Sequence, residues 1–292
     1  MKKQVRIFSP LLLALILIGL VGCKHEPTGS KGNGVITFIT TKNVGETIKI
    51  DVTAKGGFAI EGVKEQPQSK EHSYTLTAQE ITIYGDVKTF SCEQSQLTAL
   101  IVTGCPTLTD LDCSDNQLTA LDLSKNIALA NVDCSDNQLT ALDLSKNIAL
   151  ANLECSDNQL TALDLSKNVA IMDLDCNENK LTKLNLSKNV VLQELECSRN
   201  QLTELQLPKS NMLSDIECYG NQIKGNEMTR LVNSLPDRAG RKTGEFIVVQ
   251  EPQPEGNRCL KSDVAIAKAK NWQPMMINHA TDPSQKGNYE GV

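Results

Sequence analysis

The sequence contains very little of the residue types on which most protein cores and most catalytic sites depend. Aromatic residues make up 3% of its 292 residues, only one of them is a tryptophan, and the chain has three histidines. Those histidines, His25, His72 and His279, lie far apart, and no H-E-x-x-H, G-x-S-x-G or phosphate-loop motif occurs. We therefore expect an aliphatic core, no enzymatic activity and no cofactor.

Basic residues are not in excess either. The chain has 29 lysines and arginines against 35 aspartates and glutamates, a formal net charge of −6. Removal of the positively charged N-terminal segment described next makes the remainder more negative still. Because nucleic acids are bound through positive surface potential, this balance argues against a nucleic-acid partner.

Long apolar runs are limited to residues 11–21, which follow a positively charged start and end in Leu20-Val21-Gly22-Cys23. This run is too short to span a bilayer comfortably, and its layout predicts a signal peptide over residues 1–22. The ending resembles a bacterial lipobox, which implies that Cys23 becomes an N-terminus carrying lipid on its thiol and its amine. The alternative is an ordinary exported protein in which Cys23 has no role.

Residues 23–33 are polar and rich in Gly and Pro, so they are expected to form a lipidated, flexible tether. The resemblance to lipoproteins implies a protein anchored to the cell envelope by its N-terminal lipid only. Lys24 directly after the cysteine favours the outer membrane by the same resemblance, with the folded part exposed at the surface.

The sequence is dominated by a repeat. The nineteen residues from Cys113 to Asn131, CSDNQLTALDLSKNIALAN, return unchanged from Cys134 to Asn152. Self-similarity at a fixed period of this size is typical of a stacked solenoid. Cysteines and asparagines recur at the same interval of 21 residues, at Cys92, Cys113, Cys134, Cys155, Cys176, Cys197 and Cys218 and at Asn116, Asn137, Asn158, Asn179, Asn200 and Asn221.

The alternation in Val132-Asp133-Cys134 predicts a short strand with valine and cysteine inward and aspartate outward. Stacked turns then form a parallel sheet, and each asparagine falls where the chain bends and leaves backbone groups that an amide can satisfy. Leu142-Asp143-Leu144 repeats the alternation on the other wall. One turn cannot bury its own apolar side chains, so the turns must stack to be stable.

We expect three folded parts. The repeats form a solenoid of roughly six to seven turns over residues 91–223. A β-rich N-terminal cap over residues 34–90 and a small α/β C-terminal cap over residues 224–292 cover its ends. In the C-terminal cap the pattern predicts helices over Glu227–Ser234 and Asp263–Lys270, the second capped by Ser262, and strands over Glu245–Gln250 and Met275–Ile277.

The ladder cysteines are expected to act as small hydrophobes in a core column. Side chains that project in parallel from stacked strands have the wrong relative direction for a disulfide. Close pairs such as C-x-x-C, which a structural metal site needs, are missing. Cys105 and Cys259 lie off the ladder, and no pairing follows for them.

The repeat unit, L-D-C-S-x-N-Q-L-T-x-L-D-L-S-K-N with cysteine in a leucine slot, resembles the cysteine-ladder repeats of the internalin J-like family and of internalin-related surface lipoproteins. The resemblance covers roughly Ile81 to Ile223. It implies a right-handed leucine-rich-repeat superhelix with a parallel sheet, in a surface protein engaged in adhesion or host contact. It carries over no catalytic residue and no ligand position.

Acidic residues dominate the outward positions of the expected sheet. They stand directly before six ladder cysteines and, in several turns, two residues earlier, at Asp112, Asp133, Glu154, Asp175, Glu196, Glu217, Asp110, Asp173, Glu194 and Asp215. A third set follows the cysteines, at Asp115, Asp136, Asp157 and Glu178, until Arg199 breaks it. We predict an acidic ribbon on the concave face.

This ribbon has three interpretations. It is a solvated face that keeps an exposed sheet from aggregating, a surface that recognises a cationic or polyhydroxylated partner, or a row of carboxylates bridged by Ca²⁺. A basic column on the other wall, Lys125, Lys146, Lys167, Lys188 and Lys209, is interpreted as a solvated face.

Two functions fit the sequence. The first is a lipid-anchored surface protein that binds a protein or glycan ligand through its repeats, with the contact around Arg199 and Tyr219, where the turns diverge. The second is a structural spacer or scaffold at the cell envelope with no discrete ligand, which the near-identity of the central turns favours.

Overall fold

The computed structural model of the protein describes residues 34–67, 72–251, 256–278 and 286–292. The predicted signal peptide, Cys23 and the tether lie outside the described residues, as do His25 and His279. Within the described ranges no helix has the length and apolar character needed to cross a membrane.

The N-terminal region is a set of antiparallel strands, β1 Val35–Thr40, β2 Thr47–Glu61, β3 His72–Thr75, β4 Glu80–Ser91 and β5 Leu97–Gly104. β1 lies between β4 and β5, β2 pairs with β4, and β3 pairs with β2. Alternate residues of β1 are buried, as a strand with one face on the core requires. The β-rich region therefore extends through β5, beyond residue 90.

Each solenoid turn contributes one strand of three residues to a parallel sheet. These strands are β6 Asp110–Asp112, β7 Asn131–Asp133, β8 Asn152–Glu154, β9 Asp173–Asp175, β11 Glu194–Glu196 and β13 Asp215–Glu217. The end of β4 pairs in parallel with β6, so the N-terminal region itself provides the first rung of this sheet. The predicted fold class, a leucine-rich-repeat solenoid with a parallel sheet, is confirmed.

Pairing places equivalent residues of successive turns opposite each other, Leu111 with Val132, Val132 with Leu153 and onward to Ile216. This central column is buried, and so are the ladder cysteines two residues further on. The Cys134 amide donates to the Glu154 carbonyl at 2.9 Å, which extends the ladder past the strand. A three-residue strand is thus held by the turns on both sides of it.

The cysteine column behaves as part of the core. All nine described cysteines are buried, and none of them forms a disulfide. The Cys134 thiol donates to the Glu154 carbonyl at 3.5 Å, and burial raises the pKa of this thiol to about 12. A small, weakly donating side chain therefore fills each slot between the leucine columns.

The second wall has the expected alternation. Leu142 and Leu144 are buried while Asp143 is exposed, and the same pattern recurs in the neighbouring turns. Ladder hydrogen bonds on this wall join β10 Lys183–Asn185 to β12 Glu204–Gln206, which are parallel.

The C-terminal region contains α1 Asn226–Ser234, β14 Gly244–Glu251, α2 Lys261–Ala269, β15 Trp272–Asn278 and β16 Lys286–Asn288. β14 continues the parallel sheet beside β13, β15 is parallel to β14, and β16 is antiparallel to β15. The apolar end of the solenoid is thereby covered, with Phe246 and Trp272 fully buried.

The prediction that Ser262 caps the second helix is wrong. α2 begins at Lys261, and its N-cap is Leu260, whose backbone N–H donates to Asp263 Oδ2 at 2.9 Å. Asp263 is buried and also accepts a hydrogen bond from Thr229 Oγ1 of α1 at 2.8 Å. The carboxylate can satisfy the helix start and join the two helices at once, which the exposed Ser262 cannot do.

Candidate ligand-binding face

The sheet register brings the predicted acids together in two columns. Asp112, Asp133, Glu154, Asp175, Glu196 and Glu217 occupy equivalent positions of successive strands, so they lie one rung, about 4.8 Å, apart. The second column runs through Asp110, Asn131, Asn152, Asp173, Glu194 and Asp215. We call the first of these columns the acidic column.

A cavity of about 730 Å³ lies over this face of the sheet and is lined by most of the acidic column, from Asp112 to Glu196. Asp51 of β2 also lines it. Asp51 reaches the groove because it pairs with Ser91 at the end of β4. Sequence reasoning missed this residue, since no local pattern links β2 to the repeats.

Partial burial and mutual repulsion act on the acidic column. The pKa of Glu154 is raised first by desolvation and then by the charges of Asp133 and Asp175. The pKa of Glu196 is raised in the same way, by desolvation and then by Asp175 and Glu217. Asp133 and Asp175 also have raised pKa values, chiefly from burial. The charged carboxylates of the acidic column therefore destabilise one another, and a bound cationic group would reduce this repulsion.

Part of this acidity has a structural role. Asp133 Oδ1 accepts the backbone N–H of Ser135 at 2.9 Å, and Asp175 Oδ1 accepts that of Asn177 at 2.9 Å. Each aspartate thus closes the bend that follows its strand with one carboxylate oxygen. Glu196 accepts a hydrogen bond from Asn177 Nδ2 of the preceding turn at 2.8 Å. Glu154, whose longer side chain closes no bend, is the member of the acidic column least explained by local structure.

The acids of the third set occupy positions where the backbone adopts the left-handed conformation. Asp115, Asp136, Asp157, Glu178 and Arg199 all have φ between 50° and 53°, in the left-handed region, and Gly220 has φ 66° at the same position of the last turn. Aspartate tolerates this conformation better than most residues. Repulsion by Glu178 adds to desolvation and raises the pKa of Asp157 to about 6. This set reflects the turn rather than a ligand.

The structure places the two residues of the predicted contact differently, since Arg199 is exposed whereas the C-terminal region covers Tyr219. Tyr219 is only 9% exposed and packs with Ile247 and Ile277 of the C-terminal region. Arg199 lies over the tyrosine ring at 5.8 Å and forms an ion pair with Glu178. Strands β14 and β15 cover the position that the repeat alone would leave open.

A lysine that the sequence did not indicate offsets the negative charge at the C-terminal end of the acidic column. Lys286 of β16 forms ion pairs with Glu217 at 3.1 Å and with Glu245 at 3.5 Å. Asp215 nearby has its pKa raised to about 6 by partial burial and then by the charge of Glu245. The uncompensated part of the face is therefore the groove from Asp112 to Glu196.

The side-chain amides of the asparagine ladder form hydrogen bonds with the backbone groups at the bends behind this face. The Nδ2 of Asn137 donates to the carbonyls of Cys113, Cys134 and Ser135 at 3.0, 3.2 and 3.0 Å. Its Oδ1 accepts the backbone N–H of Leu118 at 2.9 Å. The same bonds recur around Asn116, Asn158, Asn179, Asn200 and Asn221. Each amide ties its own bend to the preceding turn and keeps the acidic column in register.

A second asparagine ladder, missed by sequence reasoning, lies on the other wall at Asn126, Asn147, Asn168 and Asn189. The Nδ2 of Asn147 donates to the carbonyls of Leu123 and Asn126 at 3.1 and 2.9 Å. Its Oδ1 is buried and has no hydrogen-bond partner among the described residues. The S-K-N triplet that recurs at the same interval as the cysteines is the signal that could have revealed this ladder.

The described residues contain no group of three or more His, Cys, Asp and Glu side chains arranged to hold a metal ion. The calcium interpretation of the acidic column therefore has no geometric support in the part of the chain that the structure describes. His72, the one histidine within those ranges, stacks edge-on against Tyr74 at 4.8 Å in the N-terminal sheet.

Stacked turns of this period, a buried cysteine column, an asparagine ladder and a parallel sheet together define a leucine-rich-repeat solenoid with a cysteine ladder. Comparison with solved structures agrees. The chain is similar to the functional domain of InlJ from Listeria monocytogenes, a structure described as including a cysteine ladder, with 25% identity and a TM-score of 0.54. The similarity covers 68% of this chain and 42% of the InlJ chain.

Weaker likenesses are to the leucine-rich-repeat domain of APL1B and to the LRIM1/APL1C complex. The first has 21% identity, a TM-score of 0.45, and covers 56% of this chain and 46% of the other. The second has 20% identity, a TM-score of 0.47, and covers 62% and 34%. No protein-family model and no curated protein matches the chain.

Proposed function

We propose that this protein is a non-enzymatic binding module, anchored by lipid at Cys23 to the outer membrane and exposed at the cell surface, which acts in host or biofilm contact. The groove over the sheet binds a protein or glycan partner that presents cationic groups. The observation that carries this proposal is the acidic column, which from Asp112 to Glu196 lines the groove and has no ion-pair partner among the described residues.

Cationic groups in the groove would relieve two costs together. They would offset the repulsion between carboxylates one rung apart, and they would compensate the desolvation that raises the pKa of Glu154 and Glu196. The stacked turns keep the carboxylates at fixed spacing, so a partner pays little for ordering the site. The likeness to the InlJ domain supports a binding module built on the same ladder.

A structural spacer is the second candidate. The identity of the segments Cys113–Asn131 and Cys134–Asn152 favours it, since a repeat copied for stacking also copies its charges. The bonds that Asp133 and Asp175 make within their own bends give part of the acidic column a role without any ligand.

A charge-matched pair of variants separates the two. In the first, Glu154→Gln, Asp175→Asn and Glu196→Gln neutralise the groove. In the control, Asp122→Asn, Asp143→Asn and Asp164→Asn remove the same charge from the other wall. Each of those aspartates accepts a serine N–H within its turn, which an asparagine oxygen can still do. Both variants are therefore expected to fold.

The wild-type full chain and both variants are applied to arrays of matrix proteins, cationic peptides, glycans and peptidoglycan fragments. Binding that weakens with salt, is lost in the groove variant and persists in the control supports recognition by the groove. Equal binding by both variants would mean that the contact lies outside the groove, whereas no binding by the wild type would favour the spacer. Reproducible substrate turnover by the purified protein would overturn both candidates.

Anchoring is tested separately. Cells expressing the full chain are fed an alkyne analogue of palmitate, and the protein is expected to carry the label and to fractionate with the outer membrane. Cys23→Ala should abolish the label. Label retained in Cys23→Ala, or none in the wild type, rejects the lipid anchor.

A further inference from the structure

Large aliphatic side chains form an exposed column on the wall opposite the groove. Ile127, Ile148, Val169 and Val190 are 61%, 62%, 50% and 48% exposed, although each lies two residues before a buried leucine or isoleucine. They are spaced at the repeat interval and therefore lie on successive rungs. In the next turn Asn211 takes the equivalent position, and the adjacent Met212 is 45% exposed. A contiguous exposed apolar stripe of this kind indicates a contact surface.

Lysines flank this column on every rung. Lys125, Lys146, Lys167 and Lys188 each stand two residues before an exposed aliphatic residue, and Lys209 continues the row. All five are exposed, and none forms an ion pair with another described residue. We call the two rows together the basic-aliphatic edge. The exposed Asp122, Asp143 and Asp164 stand three residues before the first three lysines and offset part of this charge. The five lysines still exceed the three aspartates, so the net charge of the edge is opposite in sign to that of the groove.

The backbone holds both rows in place. The backbone N–H of Asn147 donates to the Leu144 carbonyl at 3.0 Å, and the backbone N–H of Leu150 donates to the Asn147 carbonyl at 3.1 Å. Two tight turns therefore meet at Asn147. Lys146 and Ile148 lie on either side of this buried residue. Because Asn147 bonds to the turn below, the two rows cannot slide relative to each other.

The described chain begins at the foot of this edge. Val35 pairs with Gly104, which occupies the position of Lys125 one turn earlier. Asn126, between Lys125 and Ile127, donates to the carbonyl of the neighbouring Cys105 at 2.8 Å. Val35, at the start of the described chain, therefore lies within one rung of the edge. Extended, residues 24–33 reach about 35 Å, whereas the four rung steps of the edge span about 20 Å.

We propose that the basic-aliphatic edge lies on the anionic lipid surface to which the protein is anchored, with the lysines at the headgroups and the aliphatic side chains inserted between them. This inference rests on the proposed lipid anchor at Cys23. Anionic headgroups attract the edge and repel the acidic column, so the same charges that hold the solenoid on its side turn the groove away from the bilayer. The anchor supplies affinity, and the edge supplies orientation.

A single tryptophan in place of one aliphatic residue reports this contact. Ile148→Trp places the probe on the edge, and Val44→Trp places it at an equally exposed aliphatic position in the turn between β1 and β2 as the matched control. The native Trp272 is buried and contributes a constant background. The full chain, produced with export and lipidation, is reconstituted into vesicles of two parts phosphatidylcholine to one part phosphatidylglycerol, with bromine on the acyl chains.

The emission of Ile148→Trp is expected to shift to the blue and to be quenched at least about twofold, since interfacial side chains reach about 5–10 Å into the headgroup and acyl boundary. Val44→Trp should show neither effect. Adding Lys146→Gln, Lys167→Gln and Lys188→Gln to the edge probe should remove the quenching. Lys224→Gln, Lys242→Gln and Lys261→Gln, exposed lysines elsewhere, should leave it unchanged.

Equal quenching of the two probes, absence of quenching, or quenching that persists in pure phosphatidylcholine would overturn the inference. A blue shift that follows protein concentration without vesicles would also overturn it, by showing that a second copy covers the edge. Mass spectrometry of the N-terminal peptide measures separately whether Cys23 carries lipid. A lipidated protein without quenching refutes the edge alone, whereas an unlipidated protein refutes the anchor.

Discussion

Replacing Asn158 by alanine tests how the solenoid is held together. Its Nδ2 donates to the carbonyls of Cys134, Ser156 and Cys155 at 2.9, 3.0 and 3.3 Å, and its Oδ1 accepts the Leu139 N–H at 2.9 Å. The carbonyls keep other donors after the substitution, but the buried Leu139 N–H loses its partner. One orphaned N–H at about 1–3 kcal/mol and three lost bonds at about 0.5–1 kcal/mol each give a loss of about 2.5–6 kcal/mol.

Asn147→Ala is the matched comparison, since it removes the same atoms from a residue with 0% exposure, against 7% for Asn158. The Leu123 and Asn126 carbonyls to which Asn147 donates keep backbone partners at 3.0 and 3.1 Å. The substitution also removes the buried, unpartnered Oδ1. The expected cost is therefore only about 1 kcal/mol or less.

Urea unfolding of the full-length chain, followed by far-UV circular dichroism, measures the difference. With a slope of about 3 kcal/mol per molar urea, Asn158→Ala should lower the midpoint by about 1–2 M and Asn147→Ala by about 0.3 M or less. Burial alone predicts the opposite order. A cost for Asn147→Ala equal to or above that of Asn158→Ala would refute the hydrogen-bond reasoning.

Three further predictions concern protons, thiols and the C-terminal region. The pKa of Asp215 is raised from 3.8 to about 6 in the folded state, so its contribution to stability is present at low pH and is lost as the pH rises through about 6. Asp215→Asn should raise the urea midpoint near neutral pH and flatten its pH dependence; an unchanged profile would contradict the assignment. The buried ladder thiols should resist a disulfide reagent until urea unfolds the chain, and native-state labelling of Cys134 would contradict the packing. Arg238 donates to the Leu213 carbonyl at 2.7 Å and lies over Trp272 at 5.5 Å, so Arg238→Lys should cost about 2 kcal/mol. Arg230→Lys, at an exposed ion pair, should cost less than about 0.5 kcal/mol, and equal midpoints would contradict this account.

Local pattern was sufficient to predict the solenoid. The interval between Cys113 and Cys134 sets the length of a turn, and alternation around Asp133 decides which side chains point inward. Because each turn contacts chiefly the next, identical turns must meet in identical register, and the stacked acids follow without knowledge of distant contacts. The second asparagine ladder was equally local and was overlooked because its residues occupy an apparent polar loop.

The ends of the face depended on contacts between segments far apart in the chain. Asp51 joins the groove through the pairing of β2 with β4, and Lys286 reaches Glu217 from a strand near the C-terminus. Tyr219 directly follows the ladder cysteine Cys218, at a position that the repeat alone would leave exposed to solvent, but β14 and β15 cover it. No periodic pattern encodes these encounters.

The sequence by itself therefore determined the period, the inward and outward faces and the charge of this protein, because a solenoid repeats nearest-neighbour contacts that each turn specifies locally. The tertiary structure alone decided where the acidic face stops, which charges on it are paired and where the chain enters relative to the basic-aliphatic edge. Those features arise where the two terminal regions fold back onto the stack, and their partners are separated along the chain by too many residues for any local pattern to connect them.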